Sequence, residues 1–365
     1  MKYKFIHILR PNELKFLGPL VDIINSPTNG FNKEQHLFVT PHKQVYEALN
    51  KENNVVLDET NVHLINKYAP ECDWIISHGL PRIKEALFTK RRFLKKIVWR
   101  TWGGGHQKFN YKKDSFLLSV IHRIADLGYS IYYNNVFGKG VIGVANSVDI
   151  IDLRNWMKET PLIPMPYIGS NQYPILKEVS SKKKEKSSVI KVLLGHQGTV
   201  AENHLSILNK LKQYDAKRIR IIIPLSYGIR SYIDHLIPQI ENLHMSNVTI
   251  LKDFMEFKDY AELLNSIDIA ILDEPSSMAL GNLSILLFFE KKIVLNREGI
   301  LCKVLDMNNI PHLCTDELPD VSLEELERNV SYDGKDNDIV LHDYPYYVNQ
   351  WKNVFSFLDE REANF

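Results

Sequence analysis

The sequence predicts an α/β protein built from two doubly wound domains, and three observations carry that expectation. The chain has 365 residues, more than one hydrophobic core ordinarily supports. Short apolar runs alternate with amphipathic stretches at the spacing of strand–helix–strand units, the pattern of mostly parallel sheets. A polar break near the middle separates two such series. With 44% hydrophobic and 24% charged residues the composition is that of an ordinary folded protein.

In the first series "YKFIHILR" (3–10), "QHLFVT" (35–40), "CDWIISHG" (72–79) and "KKIVWRTWGGG" (95–105) read as strands, with helical patterns between them. The break follows. "PLIPMPYIG" (161–169) holds four Pro or Gly in nine residues, and "SSKKKEKSS" (180–188) is too polar to join a core. The second series has strands at "IKVLLG" (190–195), "RIRIIIPL" (218–225), "NVTILK" (247–252), "IDIAILD" (267–273) and "KIVLN" (292–296). Its helices are expected near 203–213, 229–241 and 257–266, with another opening at Leu280. The expected organisation is a domain over 1–170, a linker over 171–188 and a domain over 189–343. The aromatic segment 344–365 is expected as a helix returning to the first domain.

Charge divides at the same place. Residues 1–179 hold 24 Lys and Arg against 16 Asp and Glu, a balance of +8, and residues 180–365 hold 21 against 28, a balance of −7. A basic half can help the halves dock or can face phosphates and anionic lipid. Cys72, Cys302 and Cys314 have no C-x-x-C spacing, so the sequence predicts no zinc site, no other metal site and no disulfide framework. A reducing, cytoplasmic setting fits that cysteine usage. Residues 1–10 hold too short an apolar run for a signal peptide, and no run of 18 apolar residues occurs. No nucleic-acid motif is present, so nucleic acid is not an expected partner.

In doubly wound sheets, ligands sit beyond the carboxyl ends of the strands. Leu280, Gly281 and Asn282 open an apolar helix in "ALGNLSILLFFEKKIVLN" (279–296). A helix start has unpaired N–H groups and partial positive charge, and glycine leaves room for a phosphate. An asparagine or serine that merely caps the helix accounts for the same residues. "LLGHQGTVAENH" (193–204) offers Gly195, Gln197, Gly198 and Asn203, suited to a close backbone approach to phosphate. "IIIPLSYGIR" (221–230) offers Ser226, Tyr227 and Gly228 for hydroxyl contacts or a stacking ring. Glycine-rich turns without ligands are common, and neither loop is a Walker loop or a G-x-G-x-x-G fingerprint. Kinase, ATPase and ordinary dehydrogenase readings lose support accordingly.

In the first half, "VWRTWGGGHQ" (98–107) places Arg100, Trp102, Gly103, Gly104 and Gly105 at a strand end. Three consecutive glycines carry a large entropic penalty, which suggests that some group approaches the backbone there, at a cleft. His106 is the candidate general base, since an imidazole transfers protons near neutral pH. His78, ending the preceding strand, is the alternative; a loop histidine making one hydrogen bond is the plain reading of His106. The segment 82–100 is basic, and Lys90, Arg91, Arg92, Lys95 and Lys96 are expected to face anionic lipid. A solvated helix face explains the same charges.

Taken in order, "VWRTWGGG" (98–105), the glycine loop leading to Asn203-His204, "PLSYG" (224–228) and "LGN" (280–282) before an apolar helix and Glu290-Lys291-Lys292 carry a resemblance. The chain resembles the bacterial TDP-N-acetylfucosamine:lipid II N-acetylfucosaminyltransferases, or 4-acetamido-4,6-dideoxygalactosyltransferases. That resemblance implies a GT-B glycosyltransferase, with two Rossmann-like domains facing a cleft. It implies a nucleotide diphosphate sugar donor, dTDP-linked and deoxy-amino, held by the second domain. The acceptor is a polyprenyl-diphosphate-linked or other glycan, and the setting is a peripheral one on the inner face of the cytoplasmic membrane, in surface polysaccharide synthesis. No metal or other cofactor is expected, because a helix start and polar loops can offset the leaving diphosphate. The chain departs from the family pattern where His106 replaces an acidic residue, and where Asp273-Glu274-Pro275 replaces a more basic, Gln-containing turn. Two other functions share the architecture: a non-hydrolysing sugar-nucleotide epimerase and a non-catalytic nucleotide-sugar-binding protein.

Overall fold

The computed structural model describes residues 3–10, 14–50, 54–60, 63–79, 88–101, 120, 127–128, 131, 134–154, 159–166, 172–182, 187–327 and 337–362. The chain divides into two compact units, Met1–Ser170 with His342–Phe365, and Asn171–Leu341.

The first unit holds a seven-stranded, wholly parallel sheet. Its strands are β1 (Tyr3–Ile8), β2 (His36–Thr40), β3 (Val55–Leu57), β4 (Cys72–His78), β5 (Ile97–Arg100), β6 (Val141–Val144) and β7 (Leu162–Pro164), in the order β3-β2-β1-β4-β5-β6-β7. Strands buried on both faces read as continuous apolar runs, which is why β1, β2, β4 and β5 stand out in the sequence. β3, β6 and β7 span only three or four residues. β7 lies inside the Pro-rich stretch expected as boundary loop; at the sheet edge its terminal Pro164 leaves no ladder donor missing.

The helix Tyr344–Glu362 closes the core of this unit. Trp351, Val354, Phe355 and Leu358 pack with Phe5, Phe38 and Trp74 of the sheet. The Trp74 indole donates to the Leu358 carbonyl at 3.1 Å, and Lys4 pairs with Asp359 at 2.7 Å.

The second unit has six parallel strands: β8 (Ile190–Leu194), β9 (Ile219–Pro224), β10 (Val248–Leu251), β11 (Ile269–Leu272), β12 (Lys292–Leu295) and β13 (Leu313–Cys314). Their order is β10-β9-β8-β11-β12-β13. The expected helices occur at His204–Leu211, Arg230–Glu241, Phe257–Ser266 and Leu280–Phe288. Two more, Ile300–Met307 and Leu323–Glu327, carry the chain to and beyond the edge strand. Within the stretch expected as linker, Tyr173–Ser180 is a helix that buries Leu176 and Val179. Its period-3 apolar pair packs toward Phe257–Ser266, with Asn265 donating to the Val179 carbonyl at 3.1 Å. Among the described residues no helix is long and apolar enough to cross a membrane.

Candidate active site

In the second sheet the direction of winding reverses between β8 and β11. The carboxyl ends of two adjacent strands leave in opposite directions there and open the crevice that binds ligands in such sheets. The loops after β8 and β11 meet at this point. Gln197 donates to Glu274 at 3.1 Å and Asn203 donates to Asp273 at 2.8 Å. Asn203 adopts the left-handed conformation (φ 51°) that an asparagine tolerates, which turns its amide toward Asp273. Thr315 and Asn296 complete the hold on Asp273, through a side-chain oxygen and the backbone carbonyl respectively.

Beneath the first loop His196 pairs through Nδ1 with Glu202, and the same carboxylate accepts the His196 amide at 3.3 Å. Burial, and then the neighbouring His196, lowers the His204 imidazole to about 4, so it is neutral at physiological pH. Gly195 (φ +71°) lies directly over this knot, and a Cβ there would sit 2.8 Å from His204 Nε2.

The loop after β9 joins the first through two glycines. Gly198 donates to the Tyr227 carbonyl, and Ile229 donates to Gly198, each at 2.8 Å. Gly228 has φ +130°, and a Cβ on it would lie 2.4 Å from the Gly198 carbonyl oxygen; one on Gly198 would lie 2.2 Å from Ile233. The space vacated by Gly195, Gly198 and Gly228 is thus filled by protein. These three glycines let the loops close on one another.

Gly281 is different. It is exposed in the first turn of Leu280–Phe288, and apart from its chain neighbours and its own helix backbone nothing lies within 4 Å of where its Cβ would be. No side chain caps this helix at Ala279. Asn282 accepts instead from the Tyr260 hydroxyl at 2.8 Å, Ser276 bonds Glu274 and the Met278 amide, and Ser284 donates back to the Leu280 carbonyl. The capping alternative for these residues is therefore not what the structure contains. Burial first, then the charges of Glu202 and Glu274, raise the Tyr227 phenol, which bonds Asn282 and packs edge-on to His196 at 6.3 Å between ring centroids. Ser226 and Tyr227 also line a pocket of about 160 Å³ with His196, Phe254, Met255 and Tyr260. The edge thus combines an open helix start, an aromatic pocket and buried carboxylates. The carboxylates Glu202, Asp273 and Glu274 make the edge acidic, while Arg230 and Lys252 line a second pocket, of about 360 Å³, with Ser226, Tyr227 and Gly228. Positive potential for a phosphate is thus available from the helix N–H groups and from these two cations.

The first unit corrects two expectations. Arg100 ends β5 inside the core, 1% exposed, donating to the carbonyls of Met165 at 3.2 Å and Pro166 at 3.1 Å and stacking on Trp351. It braces the strand ends and does not present its charge to a ligand. His78 is fully buried: Nε2 meets His7 at 3.1 Å and Nδ1 faces Arg100 at 3.4 Å, while His7 continues to His36 at 3.1 Å. Burial drives all three imidazoles below their usual value, His36 to about 3, with Arg100 adding to the effect on His7 and His78. His78 is a neutral link in a packed row, with neither nitrogen turned to solvent. His106, Trp102, Gly103, Gly104 and Gly105 lie outside the described residues. In the basic segment Lys90, Arg91, Arg92 and Lys95 are exposed, but Phe93 and Leu94 point into the core and Lys96 donates to the Cys72 carbonyl at 2.6 Å. Within the described stretch Arg91–Lys96 the apolar residues Phe93 and Leu94 face protein, and residues 82–87 lie outside the described residues.

Two groups of side chains could hold a metal ion among the described residues: His196, Glu202 and Glu274, and separately Cys302, His312 and Cys314. The first group is already bonded internally and to Gln197 and Ser276. The sequence reading missed His196, Glu202, Phe254, Met255 and Tyr260. His196 and Glu202 lie inside the quoted loop 193–204, and polar residues that soon after β8 were the available signal. Phe254 lies in the loop after β10 and Tyr260 in the helix Phe257–Ser266 that follows, and their approach depends on β10 pairing beside β9.

Among solved structures, the chain is similar to a glycosyltransferase from Rickettsia africae at 13% identity, covering 96% of this chain and 94% of that one with a TM-score of 0.56. It is similar to HepE of Anabaena, solved with UDP and glucose, at 12% identity over 97% and 99% of the two chains, TM-score 0.56. The apo structure of OtsA matches at 13% identity over 98% and 99%, TM-score 0.55. The chain has the GT-B fold of these structures, built from two parallel α/β units, and the family that its sequence matches makes it a glycosyltransferase. It belongs to glycosyl transferase group 56, the family described as 4-alpha-L-fucosyltransferase, which it matches over residues 86–360.

Proposed function

We propose that this enzyme transfers a deoxy-amino sugar from a dTDP-linked donor to a polyprenyl-diphosphate-linked glycan. The observation that carries the donor reading is the uncapped, unobstructed helix start at Gly281, beside an aromatic pocket at the sheet's reversal point. In this reading the diphosphate lies on the N–H groups of the helix start, Tyr227 or Phe254 covers the base, and Glu274 accepts from sugar hydroxyls. Gln197, Asn203, Gly195, Gly198 and Gly228 hold the loops in place. The solved complex of HepE with UDP and glucose belongs to the same fold and supports a nucleotide sugar as the donor class.

In the transfer, the anomeric C–O bond to the diphosphate breaks and a C–O bond to the acceptor oxygen forms. The acceptor's hydroxyl proton passes to a base, for which His106 is the assignment. The leaving diphosphate carries the new negative charge, which the helix start offsets. The four exposed cations at Lys90, Arg91, Arg92 and Lys95, with exposed Phe88 beside them, would hold the enzyme at an anionic membrane surface where such an acceptor resides.

The test is transfer of labelled sugar into organic-extractable product from dTDP-, UDP- and GDP-linked donors, with a polyprenyl-diphosphate-linked acceptor. The dTDP donor is expected to give product and donor alone to stay unchanged. Label that moves only into water-soluble glycan overturns the acceptor assignment, and isomerised donor in the absence of acceptor would favour the epimerase chemistry. His106→Ala is expected to lower kcat by about 10² to 10⁴ with donor affinity retained, the range for a general base.

A further inference from the structure

We propose that Cys302, His312, Cys314 and Asp306 form a zinc site that staples the edge of the second sheet. Cys302 and Asp306 stand one turn apart on the helix Ile300–Met307, His312 lies in the loop that follows, and Cys314 is in β13. Spacing alone hides this set, because its ligands come from a helix and a strand and not from a C-x-x-C knuckle.

Three observations point to an ion and not to a chance meeting of side chains. The first is distance. The two sulfurs are 3.7 Å apart and Cys302 Sγ is 3.2 Å from His312 Nε2, and the three ligand atoms all lie within 4.8 Å of one another. Two thiolates bound to zinc at about 2.3 Å and a tetrahedral angle stand about 3.8 Å apart. A disulfide would need the sulfurs at about 2.0 Å.

The second is the histidine's tautomer. His312 Nδ1 lies 2.9 Å from the Ile310 carbonyl oxygen, which can only accept. The proton is therefore on Nδ1, and the Nε2 lone pair faces the sulfurs. Metal-bound histidines are oriented in this way by a carbonyl behind the ring. The third is a fourth ligand. Asp306 Oδ1 sits 3.6 Å from the same Nε2 on a side chain that is 69% exposed, free to swing the short remaining distance. Two thiolates, one imidazole and one carboxylate suit zinc, a borderline-soft ion that takes four ligands in closed structural sites.

The location gives the ion a task. β13 has two residues and, among the described residues, pairs only with β12, through Val294 with Leu313 and Leu295 with Cys314. So short an edge strand gains little from its ladder, and a metal bond to Cys314 fixes it to the helix that precedes it. Thr315, the next residue, bonds Asp273, which in turn holds Asn203. The site lies apart from the proposed donor contacts and its test does not depend on them.

Cobalt(II) is the probe. Reduced, chelator-treated full-length protein is titrated with Co²⁺ while absorption is recorded. The proposal expects near-ultraviolet thiolate-to-cobalt charge transfer and the intense visible bands of tetrahedral cobalt, saturating at one ion per chain and displaced by Zn²⁺. Cys302→Ser and Cys314→Ser should abolish the charge-transfer band, while Cys72→Ser keeps it. Asp306→Asn changes an exposed side chain and leaves folding intact. It should weaken zinc by at least the about 10- to 100-fold lost when an outer partner of a metal ligand is removed. A wild-type protein giving only the weak spectrum of hydrated cobalt overturns the proposal. So does a Cys72→Ser protein that loses the band as fully as Cys302→Ser.

Discussion

Glycine means two things where the loops after β8, β9 and β11 meet, and only the structure separates them. Gly195, Gly198 and Gly228 are glycines because other atoms of the protein occupy the place of a Cβ; Gly281 is a glycine with open space around it. Gly228→Ala must place a Cβ against the Gly198 carbonyl from a left-handed backbone. The conformation alone costs about 1–3 kcal/mol, so its melting temperature should fall clearly in a thermal scan. Gly281→Val meets no neighbour, and its stability should stay within about 0.5 kcal/mol of wild type. The sequence made both kinds of glycine visible but could not distinguish them, since the contacts of Gly198 with Tyr227 and Ile233 cross about 30 residues of chain. His78 illustrates the same limit. Its partner His7, and His36 on the far side of His7, lie on two other strands, brought alongside by the registers of β1 with β2 and β4.

At the scale of elements, the row His36–His7–His78 ties three strands of the first sheet together in neutral form. The unfolded chain takes up protons on these histidines near pH 6.5, whereas burial keeps them unprotonated in the fold, His36 down to about 3. Their folded values are depressed, so the stability they permit is full above about pH 6.5 and is lost as pH falls toward the folded values. Each group contributes a slope of up to about 1.4 kcal/mol per pH unit in that window. Melting scans between pH 7 and 5 should show a steep decline. His7→Phe, which keeps the flat ring stacked on Phe38, should make it shallower; equal slopes would contradict the account.

The helix Tyr344–Glu362 belongs to the same unit although the whole second unit intervenes in sequence. Trp351 is fully buried against the sheet, and Trp351→Ala should destabilise this unit by about 3–5 kcal/mol, read as a lowered denaturation midpoint. That helix was legible from its aromatic periodicity. The long, apolar strands were legible for the same reason. β3, β7 and β13, of two or three residues, were not, because so few residues give no period to read and their pairing comes from neighbours already in place; the four residues of β6 were missed as well.

Over the whole molecule, the fold and the enzyme class followed from the alternation of elements and the order of short motifs. The contacts that build the site did not, because they join residues far apart in the chain. The charge asymmetry survives in the structure as a smaller patch than the sequence suggested: Lys96 and Arg100 are engaged by carbonyls, leaving Lys90, Arg91, Arg92 and Lys95 exposed. Each cation at an anionic bilayer contributes about 1 kcal/mol, over a Debye length of about 8 Å at physiological salt. The protein should therefore sediment with anionic vesicles at low salt and be released at high salt. Glutamine at those four positions should abolish sedimentation; equal binding by the substituted protein would reduce the patch to a solvated face.

The central claim is that a donor's diphosphate rests on the open helix start at Gly281. Calorimetric titration of wild type and Gly281→Val with dTDP and with thymidine tests it most directly. The account predicts that the valine lowers dTDP affinity by about tenfold or more, the equivalent of one charge-assisted hydrogen bond lost, and leaves thymidine affinity unchanged. Equal losses for both ligands, or a wild type that binds thymidine as tightly as dTDP, would contradict it.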